Sequence, residues 1–297
     1  MQMKPGPRLA AKRAIGYIAI DEPPISALQL LGRIIEGEAW ATHRDEVQEM
    51  SSLWETRFLR ALQASRLELL ELGRQCRFDF NSSSDYLIQG SAFVEPKDNE
   101  DLAKSKRGRA RFDQYRSAID SLSPKDFEAL CKGILVALGG IEIRVTPYQA
   151  DDGIDFYCKI KLESALFPNH PIPNVGRQLM IWVVGQAKHY QLSNVRTPDI
   201  RELVGSVELA KGKAFVNLRQ EFRNMEIRTC DPVYFLFITS GFMSGDVWQL
   251  LQKSGVIGMD GEMVASFLAE RGIGVDSDAF CQDEFSSWIA SQSQAEN

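Results

Sequence analysis

At 297 residues the chain is long enough for two domains, or one large one, with a proper core. Hydrophobic residues make up 44% and charged residues 25%, the balance of a soluble globular protein and not of a fibrous or disordered one. The formal charge of −6 is not the signature of a chain that coats nucleic acid without specificity.

The charge is uneven. Residues 1–115 carry 17 basic and 17 acidic side chains, so the whole deficit lies in residues 116–297. No apolar run has the length of a membrane span. The basic Met1–Ala14 segment is followed by a short apolar stretch that Asp21 and Glu22 end, so no leader and no membrane segment are expected and the protein is read as cytoplasmic. Five scattered cysteines without a CxxC pair, and three histidines, fit reduced thiols and argue against zinc.

In chain order, residues 1–23 are rich in Pro, Lys and Arg and read as loosely ordered, apart from a short strand at Ala14–Ile20. Ile25–Ile35 reads as a helix. A second, long helix runs from Thr42 or His43 to about Cys76, with apolar residues from Val47 to Leu72 at helical spacing. It reads as an amphipathic helix packed on its neighbours, with a dimer seam as the alternative. Asn81–Ser84 is turn material and Tyr86–Phe93 a strand. Five basic residues, Lys104, Lys106, Arg107, Arg109 and Arg111, then fall within eight positions. They read as a solvated linker or helix face, or alternatively as phosphate contacts.

From Ser123 the pattern sharpens. Ser123-Pro124 is an N-cap and first-turn pair for a helix over Lys125–Leu138, which Gly139-Gly140 stops. Strands follow at Ile141–Val145, Ile154–Leu162 and Leu179–Ala187. A helix covers Pro198–Ala210, and Val233–Thr239 is a buried strand by its continuous apolar run. Ser244 caps a helix to Lys253, and a turn at Asp260-Gly261 leads to a helix over Glu262–Glu270. A short strand or end segment lies near Ile273–Val275, and Phe285–Ala290 docks one last turn. The order implies an α/β fold: a mixed sheet flanked by helices, behind a mainly helical N-terminal region.

The chemistry sits at two strand ends: Asp152-Gly-Ile-Asp155 and Gln186-Ala-Lys188. Phosphodiester hydrolysis needs an activated water and neutralised phosphoryl oxygens, which Mg²⁺, or Mn²⁺ in its place, supplies. Such ions take hard oxygen ligands. Asp155 would anchor the ion, with the Gln186 amide oxygen and the Ala187 carbonyl completing the set. Lys188, two residues on, shares the face of Gln186 and would stabilise the developing charge. Glu128, on the Ser123-capped helix, would reach the metal through water. Asp152 reads as a turn residue. His189, Tyr190, Thr239 and Ser240 are further candidate DNA contacts, with surface or turn-capping roles as alternatives. Arg201 and Glu202 read as a DNA-side pair or a surface ion pair. No GxxxxGK loop is present, so ATP use is not indicated.

Lys125-Asp-Phe-Glu-Ala-Leu130, Gly139-Gly140, Asp152-Gly-Ile-Asp155 and Gln186-Ala-Lys188, taken in order, resemble the Mrr-type branch of the PD-(D/E)XK restriction-endonuclease-like superfamily. Ile238-Thr-Ser-Gly-Phe242 and Gly258-Met-Asp-Gly261 are similar to the family's closing segments, so the resemblance covers about residues 120–275. It implies a restriction-endonuclease-like fold, Asp155 and Gln186 as metal ligands, with Gln186 standing where Glu is commoner, Lys188 as the catalytic lysine and Glu128 as the helical acid. The connection between the second and third strands is longer than the compact pattern, and residues 1–115 show no resemblance. The expected organisation is 1–115 for recognition, dimerisation or partner binding, 116–290 for the nuclease domain and 291–297 as a polar tail. The expected function is Mg²⁺-dependent DNA cleavage in restriction or anti-phage defence, with a homodimer or larger assembly to cut both strands. The alternatives are a binding or regulatory module that has lost catalysis, and an effector subunit awaiting a partner or second messenger.

Overall fold

The computed structural model describes residues 4–72, 74, 76–145, 154–162, 179–190, 194–211, 227–228 and 230–294. The chain divides into two compact units, Met1–Tyr115 with Ala265–Ile273, and Arg116–Val264 with Gly274–Asn297.

The first unit begins with α1 (Pro7–Arg13), which turns into a 3-10 segment at Ala14–Tyr17. This corrects the expectation of a loose segment with a strand. Pro7 starts the helix, and Ala10, Ala11 and Ala14 form a fully buried stripe of small side chains. Strand β1 (Ile25–Ser26) leads into α2 (Ala27–Gly37), closed by a Ser26/Gln29 capping box. The long helix α3 (Arg44–Glu71) is 28 residues, about 42 Å, and stops short of Cys76. There the Arg74 N–H donates to the Leu69 carbonyl at 2.8 Å, a closure of the Schellman kind. Val47, Phe58, Leu59 and Leu62 of α3 are buried, and the core they enter joins α1, α2 and the hairpin β2 (Phe78–Asn81) and β3 (Ser84–Gly90). The expected turn at Asn81–Ser84 is present, held by the Asn81 side chain accepting the Ser83 N–H. Strand β2 was not anticipated.

The basic run lies on α4 (Glu100–Arg109), capped by Asn99. Helix α5 (Phe112–Asp120) follows.

In the second unit α6 (Pro124–Ala137) carries the Ser123 cap and buries Phe127, Leu130, Ile134 and Leu135. Strands β4 (Gly140–Val145), β5 (Phe156–Lys161) and β6 (Met180–Lys188) come next, then the short β7 (Asn194–Val195), α7 (Thr197–Lys211) and β8 (Val233–Thr239). The two-residue β9 (Phe242–Met243) pairs with β7. Helix α8 (Gly245–Ser254) starts at a Ser244 cap, and β10 (Ile257–Met259) precedes α9 (Gly261–Glu270), whose residues from Ala265 onward belong to the first unit. The Asp260 carboxylate accepts the N–H groups of Glu262 and Met263, capping α9. The expected strand near Ile273–Val275 is instead a hairpin, β11 (Val275–Asp276) with β12 (Ala279–Phe280), turned by Ser277 and Asp278 at positive φ. Helix α10 (Gln282–Gln294) ends the described chain and runs past Ala290.

The main sheet has the order β10-β8-β6-β5-β4. Strands β4, β5 and β6 are antiparallel neighbours, while β6, β8 and β10 are parallel. This is the mixed sheet expected from hairpins first and a crossover later. At its centre Gly185 is held between neighbours. A Cβ there would lie 2.2 Å from the Leu236 carbonyl oxygen and 2.4 Å from the Phe156 ring.

Candidate active site

Phe156 of β5 pairs with Gly185 of β6. The antiparallel register therefore sets Asp155 opposite Gln186, with both side chains on one face. The Asp155 N–H donates to the Gly185 carbonyl at 2.9 Å, and its Oδ2 accepts the Ala187 N–H at 2.9 Å. Asp155 is thus fixed at the strand tip by both its backbone and its side chain. Backbone groups alternate between neighbours along a strand. The Lys188 carbonyl faces β8, where it accepts from Thr239 Oγ1 at 2.8 Å and from the Ser240 N–H at 3.3 Å. The Ala187 carbonyl accordingly turns to the β5 side, where Asp155 stands.

The electrostatics converge on the same point. Burial pushes the Asp155 carboxyl above its ordinary range. The Ala187 N–H and the Lys188 ammonium pull it back, and Glu202 on α7 raises it further. Burial, then the Asp155 charge, also raises the Glu128 carboxyl on α6. Cys131, one turn along α6, has its thiol pushed well up by burial and then by Asp155 and Glu128, so it is an inert thiol. Glu128 and Glu202 thus each couple to Asp155 at the strand tip, where Lys188 supplies a cation.

Gln186 is 1% exposed, and its Oε1 is buried without a hydrogen-bond partner among the described residues. Leaving such an atom unmade costs about 1–3 kcal/mol, and in native proteins it calls for a specific reason. A hard divalent cation is one: the amide oxygen, the Asp155 carboxylate and the Ala187 carbonyl are the oxygen donors such ions take. The residues therefore fit Mg²⁺ or Mn²⁺. Among the described residues no three His, Cys, Asp or Glu side chains gather closely enough to hold an ion by themselves, so the amide and main-chain oxygens are needed.

The other predicted residues divide. The His189 ring packs on Phe127, with centroids 5.2 Å apart, and both its nitrogens are buried without a hydrogen-bond partner among the described residues. It packs the strand tip against α6. Tyr190 donates its N–H to Ser240 Oγ at 2.9 Å and accepts from that hydroxyl at 3.2 Å. Burial and then Asp199, to which it is hydrogen-bonded, raise its phenol. Thr239 and Ser240 are fully buried and tie the ends of β6 and β8 together. Reading them as phosphate contacts is corrected, because neither presents a hydroxyl to solvent. Asp152 lies outside the described residues.

The basic run is folded into the first unit. Lys106 is 7% exposed and donates to Asp98 at 2.8 Å, with Glu95 at 4.0 Å; it is not a surface phosphate contact. Arg107 pairs with Glu100 at 2.6 Å. Arg109 pairs with Glu270 and donates to the Ser91 carbonyl. Arg111 is half-buried and acts on Tyr115, while Lys104 is exposed. The sequence reading missed the coupling of Glu202 to Asp155. The visible signal was only an acid on the first helix after the QxK strand.

Residues 119–224 match the family model of the Mrr catalytic domain, described as a restriction endonuclease. This segment is similar to the Mrr-type restriction-endonuclease domain. It contains Glu128, Asp155, Gln186, Lys188 and Glu202, and its sheet continues past the match into β8 and β10. No curated protein matches the chain in sequence. Three solved structures are similar to it. The MspJI restriction endonuclease in complex with a 27-mer oligonucleotide shares 15% identity at a TM-score of 0.37 over 67% of this chain and 39% of that one. The DNA modification-dependent restriction endonuclease AspBHI shares 14% at 0.37, over 72% and 46%. The restriction endonuclease FokI bound to DNA shares 12% at 0.36, over 88% and 44%. The chain thus spans less than half the length of each, and the overlaps are too loose for a residue-by-residue transfer.

Proposed function

We propose that the chain is a Mg²⁺-dependent endonuclease that hydrolyses phosphodiester bonds in DNA, in restriction or anti-phage defence. The observation that carries this reading is the buried Gln186 oxygen beside Asp155, without a partner among the described residues, inside the segment that matches the Mrr catalytic domain. Asp155, Gln186 and the Ala187 carbonyl would hold the ion, whose chemistry is to activate water and neutralise phosphoryl oxygens. Asp155, pinned by the Ala187 N–H, keeps its carboxylate in one orientation. Lys188 holds positive charge beside Asp155 and stabilises the charge that grows on the phosphoryl group. Glu128, with its proton affinity raised, is suited to hold a water's proton. Cutting both strands takes two such sites, so a homodimer or larger assembly is part of the proposal. The first unit is assigned to recognition or partner binding. Five free cysteines and no described helix long and apolar enough to cross a membrane support a cytoplasmic setting.

The test is plasmid cleavage by the purified chain in Mg²⁺, Mn²⁺ or EDTA, on methylated and unmethylated DNA. Double-strand cutting that EDTA abolishes, and that Asp155→Ala and Lys188→Ala each reduce by roughly a hundredfold or more, supports the reading. Equal activity in both variants and the parent overturns it. Absence of cutting together with absence of Mg²⁺ or Mn²⁺ binding favours a fold retained without catalysis.

A further inference from the structure

In the first unit a cavity of about 830 Å³ lies between α1 and α3. Lys4, Arg8, Lys12, Arg57 and Arg60 line it, and no acidic side chain is among the described lining residues. Leu9, Ala61 and Ala64 give it small apolar walls. All five cations are solvent-exposed. Among the described residues none of them has an ion-pair or hydrogen-bond partner, unlike Arg13, Arg33 and Arg66 of the same unit, which pair with Glu38, Glu22 and Asp79.

The placement is locally unfavourable. Arg8 and Lys12 stand one turn apart on α1, and Arg57 and Arg60 stand one turn apart on α3, where like charges repel. The positions three and four away from Arg57 and Arg60 on either side are Leu53, Trp54, Arg60, Ala61, Thr56, Arg57, Gln63 and Ala64, so no carboxylate relieves them from within the helix. An anion entering the cavity would relieve all five at once.

We infer that this cavity is a binding site for a compact polyanion carrying two or more phosphates, of the nucleotide or oligophosphate class. Three of the five cations are arginines, whose planar fork matches phosphate oxygens two at a time. The volume falls within the range of small-ligand pockets, about 300–1,000 Å³. The apolar walls suit the base or sugar of a nucleotide. A duplex presents its phosphates in lines along a surface, whereas these cations surround a single concavity. The site involves no residue of the nuclease centre, so it stands or falls apart from that reading.

The test is calorimetry on the full chain with sodium triphosphate, with ATP and with a short DNA duplex as separate probes. The expected result is saturable binding of triphosphate and ATP, weakened roughly tenfold or more in Arg57→Gln/Arg60→Gln, restored in part by Arg57→Lys/Arg60→Lys, and unchanged in Asp155→Ala. Circular dichroism checks that the variants fold. If the α3 pair does not, Arg8→Gln/Lys12→Gln, at two exposed positions of α1, carries the same expectation. Failure of both small probes to bind, equal affinity in parent and glutamine variants, or a loss confined to the duplex would each overturn the site.

Discussion

Two buried polar clusters in this molecule have opposite characters. In the first unit Lys106, Asp98, Glu95 and Gln89 close on one another. Lys106 donates to Asp98, Gln89 donates to Glu95 at 2.7 Å, and Glu95 also accepts the Ser82 N–H. Burial opposes ionisation of both acids, yet these contacts win and hold Glu95 and Asp98 below the usual carboxylate range. In the second unit Asp155 and Glu128 are pushed the other way, above it, and the Gln186 oxygen has no partner among the described residues. A cluster that satisfies itself is scaffold. One left charged and open is arranged for something that arrives from outside, in keeping with the clustering of perturbed acids at functional sites.

The sharpest way to break that contrast is Lys106→Met. It leaves Asp98 and Glu95 buried without their cation and should cost about 3 kcal/mol of stability, read by urea denaturation, with metal binding by the folded fraction unchanged. A loss of metal affinity instead would mean that the closed cluster is not merely scaffold. Gln186→Leu should do the reverse. It keeps the volume, removes the orphaned oxygen, and should weaken Mg²⁺ or Mn²⁺ binding by about 10–100-fold in a calorimetric titration while leaving the metal-free melting temperature the same or higher.

Asp155→Asn should raise metal-free stability at neutral pH, because the charge that burial disfavours disappears while an oxygen remains to accept the Ala187 N–H. An acid whose pKa folding raises holds its proton more tightly folded than unfolded, so it penalises the folded state as pH rises past the ordinary carboxylate range and not below it. The stabilisation should therefore shrink as the pH is lowered, and thermal melts across pH check it. The smallest effect is expected at Tyr115, buried and donating to the Ile273 carbonyl at 2.5 Å, with its phenol pushed up to about 12 by burial. The folded state binds that proton more tightly, so stability should fall as pH rises beyond the ordinary phenol range, and Tyr115→Phe should flatten that slope.

What the sequence made legible follows from how local each signal is. Ser123-Pro124 and Ser244 announced their helices because a cap is written in adjacent residues. Strands β5, β6 and β8 were readable from apolar runs, and the period of two placed Lys188 with Gln186. Helix α1 was not readable, because an Ala10, Ala11 and Ala14 stripe has no strong hydrophobic pattern; its burial comes from neighbours that approach closely. Strand β10 has three residues and exists through its register with β8. The partner of Lys106 lies eight positions back across a loop, so the run looked like free cations. Glu202 meets Asp155 only once α7 returns beside the sheet.

The stitching of β6 to β8 carries one more consequence. The Lys188 carbonyl and Tyr190 are anchored by Thr239 and Ser240, some fifty positions downstream. A nascent chain that has emerged only as far as Pro232 holds every residue of the motif but none of the clasp that orders its tip. The candidate centre is therefore completed late in synthesis, after the antiparallel half of the sheet has been made.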